Sequence, residues 1–305
     1  MVTPSARREG AEYLVEEKGY AVRVACKTVG VRSSTYYYEP KKRSYEASLV
    51  KVLHTLSQEN PRYGYRRMTA LLKGDGWKVN KKRIQRLWRK EGLKVSWKRT
   101  KKKRVGHSTT VTQAALYPNH VWSWDFVFDR TADGRQVKIL NIVDEYSRFN
   151  IALEAKRHFK GMDVIEVLGQ SMVQYGIPGC IRSDNGSEFI HRKLKKWLLD
   201  HGIKIMYIEP GSPWENPYVE SFNGKLRDEC LNREWFLSLP EVCVTLAEYR
   251  KHHNTKRPHT ALGYRTPAEV YDQYIKTGSL RAPVFKTNLL FWRENSTSNV
   301  SNIWG

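Results

Sequence analysis

The sequence predicts an α/β protein: a mixed five-stranded sheet flanked by helices, preceded by all-α modules. Apolar residues recur at helical spacing up to about Gly92, whereas from His120 onward aromatic and β-branched runs alternate with helical ones. Charge divides the chain in the same way. Of a net +22, residues 1–110 carry +19, with 28 Lys+Arg against 9 Asp+Glu, and residues 111–305 carry +3. So concentrated an excess points to a polyanion, nucleic acid being the commonest, bound by the N-terminal third. Solubility charge is the plainer alternative.

Residues 10–40 read as short helices. Ala25, Cys26, Val29 and Val31 supply the apolar spacing, Gly30 the turn, and Ser33 or Ser34 a cap for a helix carrying Tyr36, Tyr37 and Tyr38. This helix-turn-helix outline gives a first module, residues 1–42. A second, residues 43–95, starts with a helix near 47–58. "PRYGYRRMTALLKGDGW" adds another, ending at Gly74, and Asn80 caps a third, "KKRIQRLWRKEG", stopped by Gly92. On that third helix Ile84, Leu87, Trp88 and Glu91 share a face, and Lys82, Arg83, Arg86, Arg89 and Lys90 cover the rest. The pattern suits a recognition helix in a DNA groove, and also a solvated amphipathic helix. "KRTKKKR", with Lys101, Lys102 and Lys103, lies in a basic linker, residues 96–118, suited to contacting phosphates without reading sequence.

Residues 119–275 carry the sheet. "VWSWDFVFD", "QVKILNIVDEYS" and "RFNIALEA" read as strands, with a hairpin turn at Asp133-Gly134. A helix over 162–175 follows, then the short strand of "CIRSDNG", the helix of "EFIHRKLKKWLLDHG", the strand of "KIMYIEP" and a helix opened by Asn216-Pro217. That order is the order of ribonuclease H-like folds. No apolar run of about 18 residues suggests a membrane span, and "MVTPSARREGAEYLVEEKGY" lacks the apolar core of a signal peptide. Four scattered cysteines without a CxxC pair argue against zinc and disulfides, and fit a reducing cytoplasm.

Three carboxylates stand out. Asp125 sits between Trp124 and Phe126 in a segment that reads as buried, where a charge must be paired, hydrogen-bonded or metal-bound. Asp184 ends the fourth strand in "SDNG", which is also ordinary turn chemistry. In a βββαβ sheet the first and fourth strands are neighbours, so their ends can bring Asp125 and Asp184 together. On the last helix Val219, Phe222 and Leu226 form a buried face, and Glu220, Asn223 and Arg227 another. Glu220 is the acid placed to meet the two aspartates. Glu215 precedes the helix, and Asp228 and Glu229 lie two turns on, so Glu215→Gln and Glu229→Gln are expected to be tolerated.

Asp125, Asp184 and Glu220, with 35 residues between the last two, resemble the DDE triad of transposases and retroviral integrases. More narrowly, "RYGYRRM…VNKKRIQRLWRKEGL", "WSWDFV", "IRSDNGSEF", "ESFNGKLRDECL" and "NTKRPHTALGYRTPAEVY" resemble the OrfB protein of the IS3 group of bacterial insertion sequences over roughly residues 20–275. The resemblance implies a ribonuclease H-like integrase core and a metal site of Asp125, Asp184 and Glu220 holding Mg²⁺, two ions with Mn²⁺ able to substitute. It also implies cleavage and strand transfer at insertion-sequence ends and target DNA, with OrfA or an OrfA–OrfB fusion and a homo-oligomer on DNA as partners. Arg227 and Lys225 are candidates for phosphate contacts, or are solvated helix charges. Asn185 orients DNA or closes its turn. Asp129 and Asp144 are weaker metal candidates, the resemblance making Asp144 structural. His252, His253 and His259 lack metal-site spacing and read as structural or phosphate-contacting. The tail, residues 276–305, departs from the family pattern from Gly278 on. Two rival readings are a catalytically silent DNA-binding regulator that keeps the fold and a plain ribonuclease H-like nuclease.

Overall fold

The computed structural model describes residues 3–38, 45–95, 114–183, 186, 191–208 and 216–277, which fall into two compact units, residues 1–59 and 60–305. In the first, α1 (Pro4–Glu16) opens with proline at its first turn and the Thr3 hydroxyl accepting from the Ala6 N–H at 3.3 Å. The next helix, α2 (Val22–Val29), buries Ala25 and Cys26. It stops at Gly30, whose φ of +69° is open to glycine at little cost and whose N–H returns to the Cys26 and Lys27 carbonyls. A single turn, α3 (Ser33–Tyr36), follows. Neither serine caps it: Arg32 holds the N-cap position and Ser33 is already helical, so Tyr37 and Tyr38 lie beyond the helix and are exposed. The unit also holds α4 (Glu46–Glu59).

The second unit begins with α5 (Tyr65–Gly74) and α6 (Lys81–Lys90). Asn80 Oδ1 accepts from the Lys82 N–H at 2.9 Å, and Ile84, Leu87 and Trp88 are buried. The strands are β1 (Val121–Arg130), β2 (Gln136–Asp144), β3 (Asn150–Lys156), β4 (Cys180–Ser183) and β5 (Lys204–Tyr207). They form one sheet in the order β3-β2-β1-β4-β5, with β1–β2 and β2–β3 antiparallel and β1–β4 and β4–β5 parallel. Helices α7 (Gly161–Tyr175) and α8 (Arg192–Asp200) pack on one face over Trp122, Trp124, Leu140 and Ile142. On the other face, α9 (Pro217–Glu229) and α10 (Leu239–Thr255) cover Val127, Val137, Ile139 and Val143. The chain then adds α11 (Pro267–Lys276). This mixed sheet with helices on both faces is the ribonuclease H-like architecture that the element order predicts.

Strand alternation decides what faces α9. Successive side chains point to opposite sides, so the face that carries Val127 and Ile139 also carries Asp125 and its cross-strand partner Asn141. No helix among the described residues is long and apolar enough to cross a membrane.

Candidate active site

Asp125 is half-buried at the middle of β1. One carboxylate oxygen, Oδ1, accepts from the Phe126 N–H at 2.8 Å. The other, Oδ2, accepts from the Asn223 side-chain amide at 2.7 Å. Asn223 lies on α9, anchored by Val219, Phe222 and Leu226, each no more than 2% exposed. Glu220 is three residues earlier, on the same helix face, so the bond from Asn223 to Asp125 turns that face onto β1. The Glu220 carboxylate is exposed and has no hydrogen bond among the described residues. Partial desolvation raises it from the ordinary glutamate value. Arg227, on the same face, donates from Nη2 to the Phe128 carbonyl at 3.0 Å.

Behind Asp125 runs a chain of amides that the sequence reading missed. Asn254 Oδ1 accepts from the Asn150 N–H at 2.8 Å, and its Nδ2 donates to the Asn150 carbonyl at 3.0 Å. Asn150 Nδ2 donates to Asn141 Oδ1 at 2.6 Å, and Asn141 Nδ2 to Asn223 Oδ1 at 2.7 Å. Asn223 then donates to Asp125. Every side-chain step runs the same way and ends on a carboxylate oxygen, an acceptor, so each bond polarises the next. Asn141 and Asn150 are fully buried, where an unpaired amide costs about 1–3 kcal/mol. The sequence signal for this chain is faint. Asparagine inside a β-branched strand is unusual, as in "KILNIVD", but the partners lie 82 and 104 positions apart in sequence. We expect Asn223→Ala to reduce metal-dependent DNA cleavage by about 10–100-fold, as removal of outer-shell support for a ligand does, and to cost about 1–3 kcal/mol of stability, because it leaves the buried Asn141 amide unpaired, so cleavage is compared below the variant's melting temperature. Wild-type cleavage in Asn223→Ala would remove the amide from the site.

A buried ion pair joins the strand ends. Glu145, unexposed, accepts from Arg182 Nε at 2.8 Å and from the Ser123 hydroxyl. Ser123 precedes Asp125 by two residues on β1, and Arg182 precedes Asp184 by two, so Glu145 ties β1 to β4 just before both aspartates. Asn216 stands at the α9 N-cap as expected, yet makes no capping bond; its amide donates to the Trp124 carbonyl at 3.3 Å and pins the helix start to β1.

Asp144 is fully buried and takes the Asn119 N–H at 2.7 Å, the Ser147 N–H at 2.7 Å and the Ser147 hydroxyl at 2.5 Å, closing the turn after β2. Burial pushes it up to about 6 despite these donors. It is structural, and Asp129 is bonded to its own strand through the Arg130 N–H. His253 and His259 are buried in ring contact at 4.7 Å, and burial lowers the pKa of both. Glu229 departs from its expected tolerance. It accepts two bonds from Arg257, at 2.6 and 2.7 Å, and one from Arg67 at 3.3 Å, because the helix turns it into the protein where α5 and the segment after α10 meet. On α6, Lys82, Arg86 and Arg89 are exposed and Arg83 is half-buried; Arg89, Arg66 and Lys94 line one groove of about 820 Å³. Lys225 is half-buried on another flank of α9. Asp184, Asn185, Lys101, Lys102, Lys103, Glu215 and the tail from Gly278 lie outside the described residues.

Residues 115–213 and 201–267 match integrase core domains, and residues 44–101 match an HTH-like domain. An uncharacterized 31.7 kDa protein of insertion element IS407 from Burkholderia multivorans is 39% identical over 88% of this chain and 96% of its own. An uncharacterized 39.2 kDa protein of insertion element IS476 from Xanthomonas euvesicatoria is 37% identical over 94% and 83%. The chain belongs to the IS3-group DDE transposases. The transposase for insertion sequence element IS904 of Lactococcus lactis is 27% identical to it over 77% of this chain and 98% of that one. The catalytic core domain of HTLV-2 integrase in complex with magnesium superposes at a TM-score of 0.43, with 19% identity over 52% of the transposase and 99% of that chain. The transposase is a DNA-acting polynucleotidyl transferase, and its integrase core family is metal-dependent. Among the described residues no three His, Cys, Asp or Glu side chains gather as a metal site. The carboxylates that are described, Asp125 and Glu220, supply the hard oxygen donors that suit Mg²⁺.

Proposed function

We propose that Asp125, Asp184 and Glu220 are the carboxylates with which this transposase cuts and joins DNA at the ends of its insertion sequence, holding two Mg²⁺ ions that Mn²⁺ can replace. The observation that carries the reading is the hydrogen bond from Asn223 to Asp125, which seats the Glu220 face of α9 on β1. The parallel ladder supports the third member. Val121 pairs with Cys180, Trp122 with Ile181 and Ser123 with Arg182, so β4, the strand before Asp184 in the sequence, runs parallel to β1 and toward its Asp125 side. Bound there, the ions would activate the attacking oxygen of an in-line displacement at phosphorus and stabilise the leaving one.

The chain's own contribution is placement. Asn223 fixes one oxygen of Asp125, Asn216 fixes the start of α9, and Glu145 holds the two strand ends in register. DNA is engaged by the second helical module, residues 43–95, through Lys82, Arg83, Arg86 and Arg89 on α6, and by Lys101, Lys102 and Lys103 in the linker. Asn185 and Arg227 contact the strand near the cut. The enzyme works in the bacterial cytoplasm, at the nucleoid, as a homo-oligomer on paired ends and with OrfA as partner.

The test is an end-cleavage and strand-joining assay on duplexes carrying the DNA that flanks its gene, with and without OrfA. Mg²⁺ or Mn²⁺ is expected to support both steps. Ca²⁺, with longer bonds and looser geometry, should support assembly and little chemistry. Robust joining in EDTA would overturn the two-metal reading.

A further inference from the structure

Lys225 lies about 140° around α9 from Glu220, at 100° per residue, and so faces away from the cutting site. On that flank is a cavity of about 350 Å³ lined by Arg67, Arg148, Lys225, Arg257, His253 and His259, with no described carboxylate in its wall. The cations come from separate parts of the chain: Arg67 from α5, Arg148 from the turn before β3, Lys225 from α9, and Arg257 from the segment after α10. Two acids lie behind them, and one, Glu229, offsets Arg67 and Arg257, which leaves Arg148 and Lys225 as the lining cations without a carboxylate bond among the described residues. The other, Asp144, is bonded to Ser147 and Asn119.

Positive charge is therefore gathered around an open space without an anion in it. Arg148 sits at a left-handed φ of +63°, a conformation unfavourable for a long side chain. Its guanidinium lies 3.9 Å over the Tyr218 ring, and Nη1 is buried with no hydrogen-bond partner among the described residues. His253, 1% exposed, donates from Nε2 to the Arg148 carbonyl at 3.2 Å, so its buried Nδ1 is an acceptor and adds no donor to the cavity. Lys225 makes no hydrogen bond among the described residues. Burial, with Arg257, Arg67 and Arg148 nearby, brings its ammonium down to about 8, partly countered by Glu229. A buried donor without an acceptor is costly, and a ligand that supplies the acceptor removes that cost. Oxygens of a phosphate group match guanidinium and ammonium donors in both charge and geometry.

We propose that this cavity is a phosphate-binding pocket, separate from the carboxylate site, which takes the phosphate of a nucleotide unit with Arg148 and Lys225 as its principal ligands. The space exceeds what a bare phosphate fills and accommodates an attached sugar or base beside Tyr218. The phosphate comes from a DNA strand passing along this flank of α9 or from a free nucleotide.

The experiment titrates the full-length protein with inorganic pyrophosphate in EDTA, so that the carboxylate site takes no part, and reads the heat of binding. Wild type and Glu220→Gln are both expected to bind, which keeps the result independent of the catalytic assignment. Lys225→Gln and Arg148→Gln should each weaken binding by about tenfold or more, and Lys196→Gln, an exposed lysine on α8, should not. Circular dichroism melts confirm that each variant is folded. Competition then identifies the source. Displacement of pyrophosphate by a short single strand assigns the pocket to DNA, and displacement by a mononucleotide alone assigns it to a free nucleotide. No pyrophosphate binding at millimolar concentration, or equal binding by wild type and both folded pocket variants, overturns the proposal.

Discussion

Glu229→Gln is expected to lower the stability of the transposase by about 3 kcal/mol, toward the smaller end of what removing one partner of a buried ion pair costs. Arg257 is 1% exposed at its side chain and Glu229 10%, so little water reaches either charge. Glutamine keeps one acceptor but no charge, and cannot accept the fork of two guanidinium bonds that Glu229 receives. Arg67, 24% exposed, loses the same partner. The uncompensated guanidinium, rather than a missing bond, supplies most of the effect. The double variant Glu229→Gln/Arg257→Leu should then be more stable than Glu229→Gln alone. Urea unfolding of the wild type, both single variants and the double variant measures this. Wild-type stability in Glu229→Gln would mean that water or another anion neutralises Arg257.

Glu220→Gln is expected to abolish strand cleavage and joining, by more than about 100-fold, the upper range for losing support of a metal ligand rather than the ligand itself. The substitution removes one negative oxygen and little volume. Glu220 is exposed and has no hydrogen bond among the described residues, so nothing in the fold depends on its charge. Melting and DNA binding should stay near wild type. This separates Glu220 from Glu229, nine residues along the same helix: the first is costly to chemistry, the second to stability. Cleavage at the wild-type rate by folded Glu220→Gln would move the third carboxylate elsewhere.

The sequence carried the parts of this site set by local periodicity. Spacing alone placed Val219, Phe222 and Leu226 inward and Glu220, Asn223 and Arg227 on a second face, because a helix repeats every 3.6 residues whatever it packs against. Strand order followed from the βββαβ succession, which leaves few ways to pair β1. What remained hidden depends on contacts between distant positions. The amide chain from Asn254 to Asp125 joins three strands and two helices that sequence spacing does not relate. Glu229, two turns beyond the site, was expected to tolerate glutamine because the guanidiniums that meet it come from residues 67 and 257. Asn216 occupied the position of a cap, and packing against β1 redirected its amide to the Trp124 carbonyl. The turn at Ser33 was misjudged by one residue, within the scatter of helix ends.

The three carboxylates proposed as one metal site include Asp184, which lies outside the described residues. Mn²⁺ binding tests that site most directly, measured by electron paramagnetic resonance on the full-length protein with an end duplex present. The wild type is expected to take up two ions, and Asp125→Asn, Asp184→Asn and Glu220→Gln should each lose most of that binding while remaining folded and bound to DNA. Undiminished Mn²⁺ binding in Asp184→Asn would contradict the account.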